Sequence, residues 1–519
     1  MQFKRNLILT VLLLLILASI SYLPFTYRDT PGERDGFRMV MGIIDSITSG
    51  KPLGSPLLYG RSISFGYYAM VDFFKPLFQN NFNIIIPITN YLSSLSSILM
   101  VIPVFYLVKR YWGVTTAVLA NLLLIFIPVW WSTSLYGHPM IQAVLFMFIG
   151  LALIAYRSEV KLSNASLLKL ILLDILIISA FALCLMFRLD AVLMFLLIPG
   201  CFFLERYSLP KVFYYSILYV FLSVIIFFVV KSQLPEINIE SDGILEDLIF
   251  YHGPDLVVQN FKIGTKVFIE GCNPLYIFVS FITFIYLWIK RDYSTLLFIF
   301  PTVIINYIFW LPNYYPARHF IYISPVLAIG NAVWLHATLK KALLFYRNKK
   351  IIGISSVLIL IVIIFVSYKF YYSPPYPYWQ TQTQDNKILA KKLQDLPSTG
   401  QRIFVVGDSV PVVLEMQLLS NKVQVKPLKT SLFTDTQLQR QKLSKILKTQ
   451  PIKTIDLFEV KNEKNNFIFY IQGWKKNEVI RFFQESNEYD DVYVVVQKNI
   501  PSFTLVPSDI SKKINFLDI

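Results

Sequence analysis

The sequence predicts a polytopic α-helical membrane protein of about eleven transmembrane helices, carrying a small external α/β domain at its C-terminus. Three observations lead there. The 519-residue chain is 55% hydrophobic, 16% aromatic and only 15% charged, with a mean hydropathy of +0.55, far from the usage of soluble domains. Apolar runs near spanning length recur from the N-terminus to about residue 368. Beyond a Pro-rich break, the chain turns into ordinary soluble sequence with short strand-like and helical stretches.

Lys4 and Arg5 precede the first apolar run, residues 6–24. No convincing small-residue cleavage site follows it, so it reads as a retained span rather than a signal peptide. The polar loop from Tyr27 to Arg61 comes next and places Asp29, Glu33 and Asp35 within seven residues. Thr30-Pro31-Gly32-Glu33 fits a capping box with proline at the first helical position, so a helix starts here or at Asp35. Phe37, Val40, Met41, Ile44 and Ile47 recur at helical spacing, with Gly50 as C-cap and Pro52 beyond it. That describes an amphipathic helix at a surface. The loop is the candidate active site, with Asp35 as candidate catalytic residue and Asp29 and Glu33 as alternates. A plain structural role also fits, in which Asp35 caps the helix and the other two acids favour its positive end.

Ten further spans are expected at 84–108, 114–131, 140–156, 167–187, 191–204, 212–230, 274–289, 295–311, 320–339 and 351–368. Lys4/Arg5, Lys109/Arg110, Arg157/Lys161, Arg206/Lys211, Lys290/Arg291 and the basic cluster Lys340 to Lys350 fall on every second connection. By the positive-inside rule these are cytoplasmic, as is the N-terminus, in an integral protein of the plasma membrane. The connections 25–83, 132–139, 188–190, 231–273 and 312–319 are then external, and so is everything after the last span. The membrane domain takes 1–372. A stiff aromatic linker, Ser373-Pro374-Pro375-Tyr376-Pro377-Tyr378-Trp379, marks the boundary to an external domain at 380–519. There, strands are expected at 402–406, 423–425, 467–471 and 492–496, and helices at 436–447 and 477–485.

The net charge of +16 resides largely in the short connections, where topology explains it, so nucleic acid is excluded as a partner. Cys184 and Cys201 lie in or beside apolar runs and Cys272 stands alone, which leaves no disulfide framework or Cys-x-x-Cys metal site. Signatures of zinc proteases, P-loop nucleotide hydrolases and dinucleotide-binding enzymes are missing from the sequence. Val406-Gly407-Asp408-Ser409 looks like an esterase nucleophile turn, but His138, His252, His319 and His336 all precede this domain, so Ser409 reads as a turn residue.

What remains is a set of polar residues on the expected external face. Arg188 and Asp190 share a very short turn, and Tyr314-Tyr315-Pro316-Ala317-Arg318-His319 leads straight into a span. Guanidinium groups at a lipid–water boundary suit phosphate binding through paired hydrogen bonds. Arg188 could instead pair with Asp190, and Arg318 could snorkel. His138 at the head of a span and Arg61 at the end of the opening loop complete the candidate substrate-binding set. Asp174, inside an apolar run, reads as a structural partner for another helix.

This layout resembles the GT-C type glycosyltransferases, and within them the protein O-mannosyltransferases and the lipid A aminoarabinose transferases. Asp35, Phe37 and Gly50-Lys51-Pro52 match the family's acidic residue, aromatic and Gly-x-Pro. Arg318, His319 and Pro325 match its late Arg-Tyr/His segment before a Pro-containing span. Gly36 stands where many members have Glu, and Tyr59-Gly60-Arg61-Ser62 replaces a Pro-rich stretch. The resemblance implies a polyprenyl-phosphate sugar as donor, a protein, lipid or glycan as acceptor, and inverting transfer on the non-cytoplasmic face with an Asp base. Chemistry points the same way: nucleotide sugars are not generally available outside the cytoplasm, and a phosphate leaving group needs no strong general acid. A divalent metal ion held by Asp29, Glu33 and Asp35 is an open option. The competing readings are a transporter or flippase, for which the paired repeats are missing, and a non-enzymatic envelope assembly protein.

Overall fold

A computed structural model describes residues 2–28, 30–31, 64–78, 84–162, 166–233, 253–310 and 317–345, scattered positions at 36–44 and 384–391, and six strands between 402 and 518. Among the described residues, seven helices are long and apolar enough to cross a membrane: Asn6–Phe25, Ile85–Trp112, Pro139–Lys161, Leu167–Phe187, Leu209–Ser232, Tyr293–Trp310 and Arg318–Lys341. The pair Val114–Ile125 and Pro128–Ser134, bent by 65°, makes an eighth if it is taken as one span. Pro128 explains the break, because residue 127 is pushed to an extended conformation before it and the helix cannot run through. The runs expected at 191–204 and 274–289 form the shorter apolar helices Leu189–Leu204 and Pro274–Lys290. The run at 351–368 lies outside the described residues.

Burial sorts these helices into rim and centre. The first helix has 17% of its apolar window buried, against 72% for both Pro139–Lys161 and Arg318–Lys341. Its Leu14, Ala18 and Tyr22, spaced four apart, face the bundle, while Ile8, Leu12, Ile16 and Ile20 stay exposed as lipid-facing residues would. Small residues permit the closest approaches. A Cβ on Gly200 would stand 2.6 Å from the Phe298 Cα, so glycine lets Leu197–Leu204 lie directly on Tyr293–Trp310.

Several charges inside the bundle are paired. Asp174 accepts from Arg157 and from the Tyr219 hydroxyl, joining three helices, and the Arg157 guanidinium also sits over the Tyr215 ring. Asp174 is therefore the structural partner the sequence indicated. Arg157, expected in a cytoplasmic connection, is instead a buried residue of the helix Pro139–Leu162, because that helix runs six residues beyond the expected end at 156. Arg110 grips Glu205 through two hydrogen bonds of 3.0 and 3.2 Å, and Tyr111 adds a third to the same carboxylate.

The connection expected at 231–273 contains a feature that apolar runs do not reveal. Residues Gly253–Cys272 form an amphipathic helix that packs on Ala317–Ile323, with Phe268 edge-on to Phe320 at 4.8 Å and to Tyr307 at 5.3 Å.

In the C-terminal part, β1 (Arg402–Gly407), β2 (Gln424–Pro427), β3 (Thr454–Lys461), β4 (Asn466–Gln472), β5 (Val492–Val496) and β6 (Ile514–Asp518) form one sheet in the order β2-β3-β4-β1-β5-β6. The side β4-β1-β5-β6 is parallel, while β2 and β3 add antiparallel strands. Four strands match the sequence expectation; β3 and β6 do not, since Asp456, Glu459 and Lys461 interrupt the apolar signal of the first. The helices expected at 436–447 and 477–485 lie outside the described residues.

Candidate active site

The site is built on a polar stripe in an otherwise apolar helix. In Ile85–Leu99 the side chains of Thr89, Asn90, Ser93, Ser94, Ser96 and Ser97 are all buried. Buried polar groups need partners, and here several of them come from the segment that leaves the first helix. Asn90 Nδ2 donates to the carbonyls of Tyr27 (2.8 Å) and Thr30 (3.0 Å), and its Oδ1 accepts the Gly137 N–H at 2.6 Å. Thr26 and Ser94 hydroxyls meet at 2.6 Å, and Tyr27 N–H donates to the Leu135 carbonyl. The start of the acidic segment is thus fixed against the turn at 135–138.

Gly137 is required in that turn, since a Cβ there would lie 2.7 Å from the Tyr67 hydroxyl and 2.9 Å from Thr89 Cβ. Burial pushes the Tyr67 phenol above its ordinary pKa, so it stays protonated. Past Thr30, Gly36, Met39, Val40, Ile43 and Ile44 are helical, and the last four are buried. Val40 and Ile44 belong to the stripe read from the sequence and Met39 and Ile43 do not, while Phe37, Met41 and Ile47 lie outside the described residues. Gly36 has a physical reason: a Cβ would fall 2.5 Å from the Pro31 carbonyl oxygen. Asp29, Glu33, Asp35 and Arg61, and with them the proposed metal ligands, lie outside the described residues.

His138 is fully buried. Its Nδ1 accepts the Met140 N–H at 3.3 Å, so it caps the helix Pro139–Leu162 that it precedes. Its backbone N–H donates to Ser93 Oγ at 3.0 Å.

A second cluster joins two segments far apart in sequence. Arg188 donates to both oxygens of Asp190, at 3.0 and 3.2 Å, the Tyr322 hydroxyl donates to Oδ1 at 2.6 Å, and His319 Nδ1 lies 3.9 Å from Oδ2. The side chains of Arg188, Asp190 and His319 are 12%, 16% and 4% exposed, so this is a nearly closed polar centre. Two 3-10 turns create it: Leu189–Leu196 continues from Arg188, and Ala317–Ile323 presents Arg318, His319 and Tyr322. The indole of Trp310 packs against His319 with ring centroids 4.4 Å apart and the planes tilted by 42°, and it donates to Asn306. Arg188 and His319 are therefore brought together, and Arg318, half-buried, precedes His319 in the same 3-10 turn. Asp190 and Tyr322 belong to the same centre and were not read from sequence as functional residues.

An apolar cavity of about 570 Å³ lies between Phe65–Asp72, Ile85–Leu99, Pro139–Leu162 and Leu167–Phe187. Its wall includes Leu92, Leu99, Phe146 and Leu183, and it reaches Phe187, the neighbour of Arg188. Among the described residues no group of three or more His, Cys, Asp and Glu side chains could hold a metal ion.

No family model and no curated protein matches the sequence. Solved structures do match the fold. ArnT from Cupriavidus metallidurans bound to undecaprenyl phosphate is 13% identical and superposes with a TM-score of 0.50 over 79% of this chain and 84% of its own. The oligosaccharyltransferase of Archaeoglobus fulgidus, tethered to an acceptor peptide, is 10% identical with a TM-score of 0.50 over 79% of this chain. This chain covers 63% of that larger protein. The chain thus shares the fold of these two proteins, the GT-C fold that the sequence led one to expect, with no particular branch singled out.

Proposed function

We propose that the protein is an inverting membrane glycosyltransferase that moves a sugar from a polyprenyl-phosphate donor to a hydroxyl of a protein, lipid or glycan. The observation that carries this reading is the convergence of Arg188 and His319 on Asp190, with Arg188 directly following Phe187 in the wall of an apolar cavity. A polyprenyl phosphate needs such a pair of environments: hydrocarbon for the chain and cationic donors for the phosphate. The two superposed enzymes, one bound to undecaprenyl phosphate, support the same class of donor.

In the reaction, the Asp35 carboxylate takes the proton of the acceptor hydroxyl, with Asp29 and Glu33 as alternates. The acceptor oxygen then bonds to the anomeric carbon while the bond from that carbon to the phosphate oxygen breaks. The phosphate leaves with the electron pair. Arg188, Arg318 and His319 stabilise its growing charge, and Arg61 and His138 bound the sugar side. One displacement inverts the anomeric centre. The first-helix anchor through Asn90 keeps the base segment from drifting, since displacements near 1 Å cost about 10²-fold in rate. We place the N-terminus in the cytoplasm and the site and C-terminal domain outside, in the plasma membrane.

Proteoliposomes containing undecaprenyl-phosphate sugars labelled in the sugar test this. Label transferred to a hydroxyl acceptor supports the reading; vectorial movement of label without transfer points to a transporter instead.

A further inference from the structure

The helices Pro274–Lys290 and Tyr293–Trp310 are joined by two residues only, Arg291 and Asp292, and between them runs an apolar groove of about 380 Å³. Phe284 and Trp288 line it from the first helix, and Tyr293, Leu297, Phe300 and Ile304 from the second. Its rings form one wall. Trp288 stacks on Phe284 with centroids 6.2 Å apart and meets the Tyr293 ring edge-on at 6.1 Å, while Phe284 meets Phe300 edge-on at 4.9 Å. The wall can be reached from outside the bundle, since Trp288 is 60% and Tyr293 50% exposed.

The connection gives this groove a charged end. Lys290 and Arg291 stand between Trp288 and Tyr293 in the chain, both are exposed, and neither pairs with a carboxylate among the described residues. The one acid of the connection, Asp292, is already engaged: its oxygens accept the Thr295 N–H at 3.2 Å and the Thr295 hydroxyl at 2.7 Å, capping the second helix. Arg291 also occupies a demanding position. Its N–H donates to the Trp288 carbonyl and the Asp292 N–H donates to the Leu287 carbonyl, so Arg291 is the left-handed residue of a helix-terminating motif, at φ 56°. Glycine is the usual occupant of that position, because a side chain is strained there. A cation is thus kept where a smaller residue would fold more easily.

Tryptophan and tyrosine beside lysine and arginine mark the depth at which lipid headgroups lie. A phospholipid with an anionic headgroup matches both parts of the feature. Its acyl chain lies against exposed rings, and its negative charge meets two cations without counter-ions of their own. A zwitterionic lipid would fill the groove but carries its own positive charge, and a soluble anion would gain nothing from the rings.

We propose that this groove is a binding site for one anionic phospholipid, with the chain along Trp288, Phe284 and Phe300 and the headgroup at Lys290 and Arg291. The site shares no residue with the candidate donor site and does not depend on the transferase reading.

Proteoliposomes that mix phosphatidylcholine with phosphatidylglycerol brominated on its chains test this, because bromine quenches a nearby indole. Subtracting the fluorescence of Trp288→Phe from that of the wild type isolates Trp288 among the eight tryptophans, and each variant is paired with its own Trp288→Phe form in the same way. Quenching of Trp288 should show phosphatidylglycerol preferred over phosphatidylcholine at least about fivefold, the effect of roughly one nearby cation. Arg291→Gly suits the left-handed position and so keeps the turn, yet it should lower this preference. Lys290→Gln combined with Arg291→Gly should leave the two lipids within about twofold of each other. Equal affinity for both lipids in the wild type, or a preference that survives the double substitution, overturns the proposal.

Discussion

Arg188 illustrates how much the fold adds to a residue singled out by sequence. Its position in a short turn at a membrane boundary marks it, but the sequence leaves open whether Asp190 neutralises it or a ligand phosphate does. In the fold both oxygens of Asp190 accept from it, and Tyr322 and His319 close on the same carboxylate. Removing either partner leaves a buried charge less well matched, so Arg188→Ala and Asp190→Ala should each lower stability more than the double variant does. Thermal unfolding in nanodiscs reads this, and additive losses would show the two residues to be independent. Arg188→Ala should also weaken undecaprenyl phosphate binding, with Arg188→Lys rescuing only part, because lysine lacks the planar fork. Equal affinity in all three proteins would remove Arg188 from the phosphate site. Tyr322 escaped the sequence reading for a plain reason: it is one tyrosine among 31, and only folding sets it against Asp190.

At the level of elements, the helix Ile85–Leu99 contributes position rather than chemistry. Its Asn90 holds two carbonyls of the departing first loop and one amide of the Gly137 turn. Asn90→Ala should therefore lower transfer about 10²-fold through misplacement of the acidic segment, while lipid binding changes little. Transfer at the parent rate would mean that the loop is held elsewhere. Asp174→Asn is the contrasting case: it weakens the contacts to Arg157 and Tyr219, so thermal stability should fall with transfer per folded molecule unchanged. A selective loss of transfer would give Asp174 a role beyond structure. The signal for the Asn90 clamp was present in sequence, as six polar residues crowded on one short stretch of an apolar run. The amphipathic helix Gly253–Cys272 was harder to see, because a search for long apolar runs passes over a segment in which, among the described side-chain positions, Gly264, Phe268 and Cys272 are buried between exposed or half-buried neighbours. Periods were legible, and the contacts that give them purpose were not.

For the whole molecule, hydropathy alone exposed the membrane class, since spanning helices must satisfy their own backbone and so announce themselves as long apolar runs. Breaks were less legible: 114–131 folds as two helices bent by 65°, and 191–204 starts in a 3-10 turn that carries the Arg188–Asp190 pair. The proposed orientation predicts that cysteines introduced at Lys387 or Lys391 are labelled by a membrane-impermeant maleimide from outside intact cells. Labelling only after the membrane is breached would reverse the orientation. The central claim is that one apolar-and-cationic site holds the lipid donor while a carboxylate of the first loop removes the acceptor proton. Measuring donor binding and sugar transfer side by side for Asp35→Asn, with Asp29→Asn and Glu33→Gln alongside, tests it most directly. Asparagine caps a helix about as well as aspartate, so Asp35→Asn should stay folded and bind undecaprenyl-phosphate sugar normally, yet transfer about 10²–10⁴-fold more slowly. Transfer at the parent rate by all three variants would contradict the account.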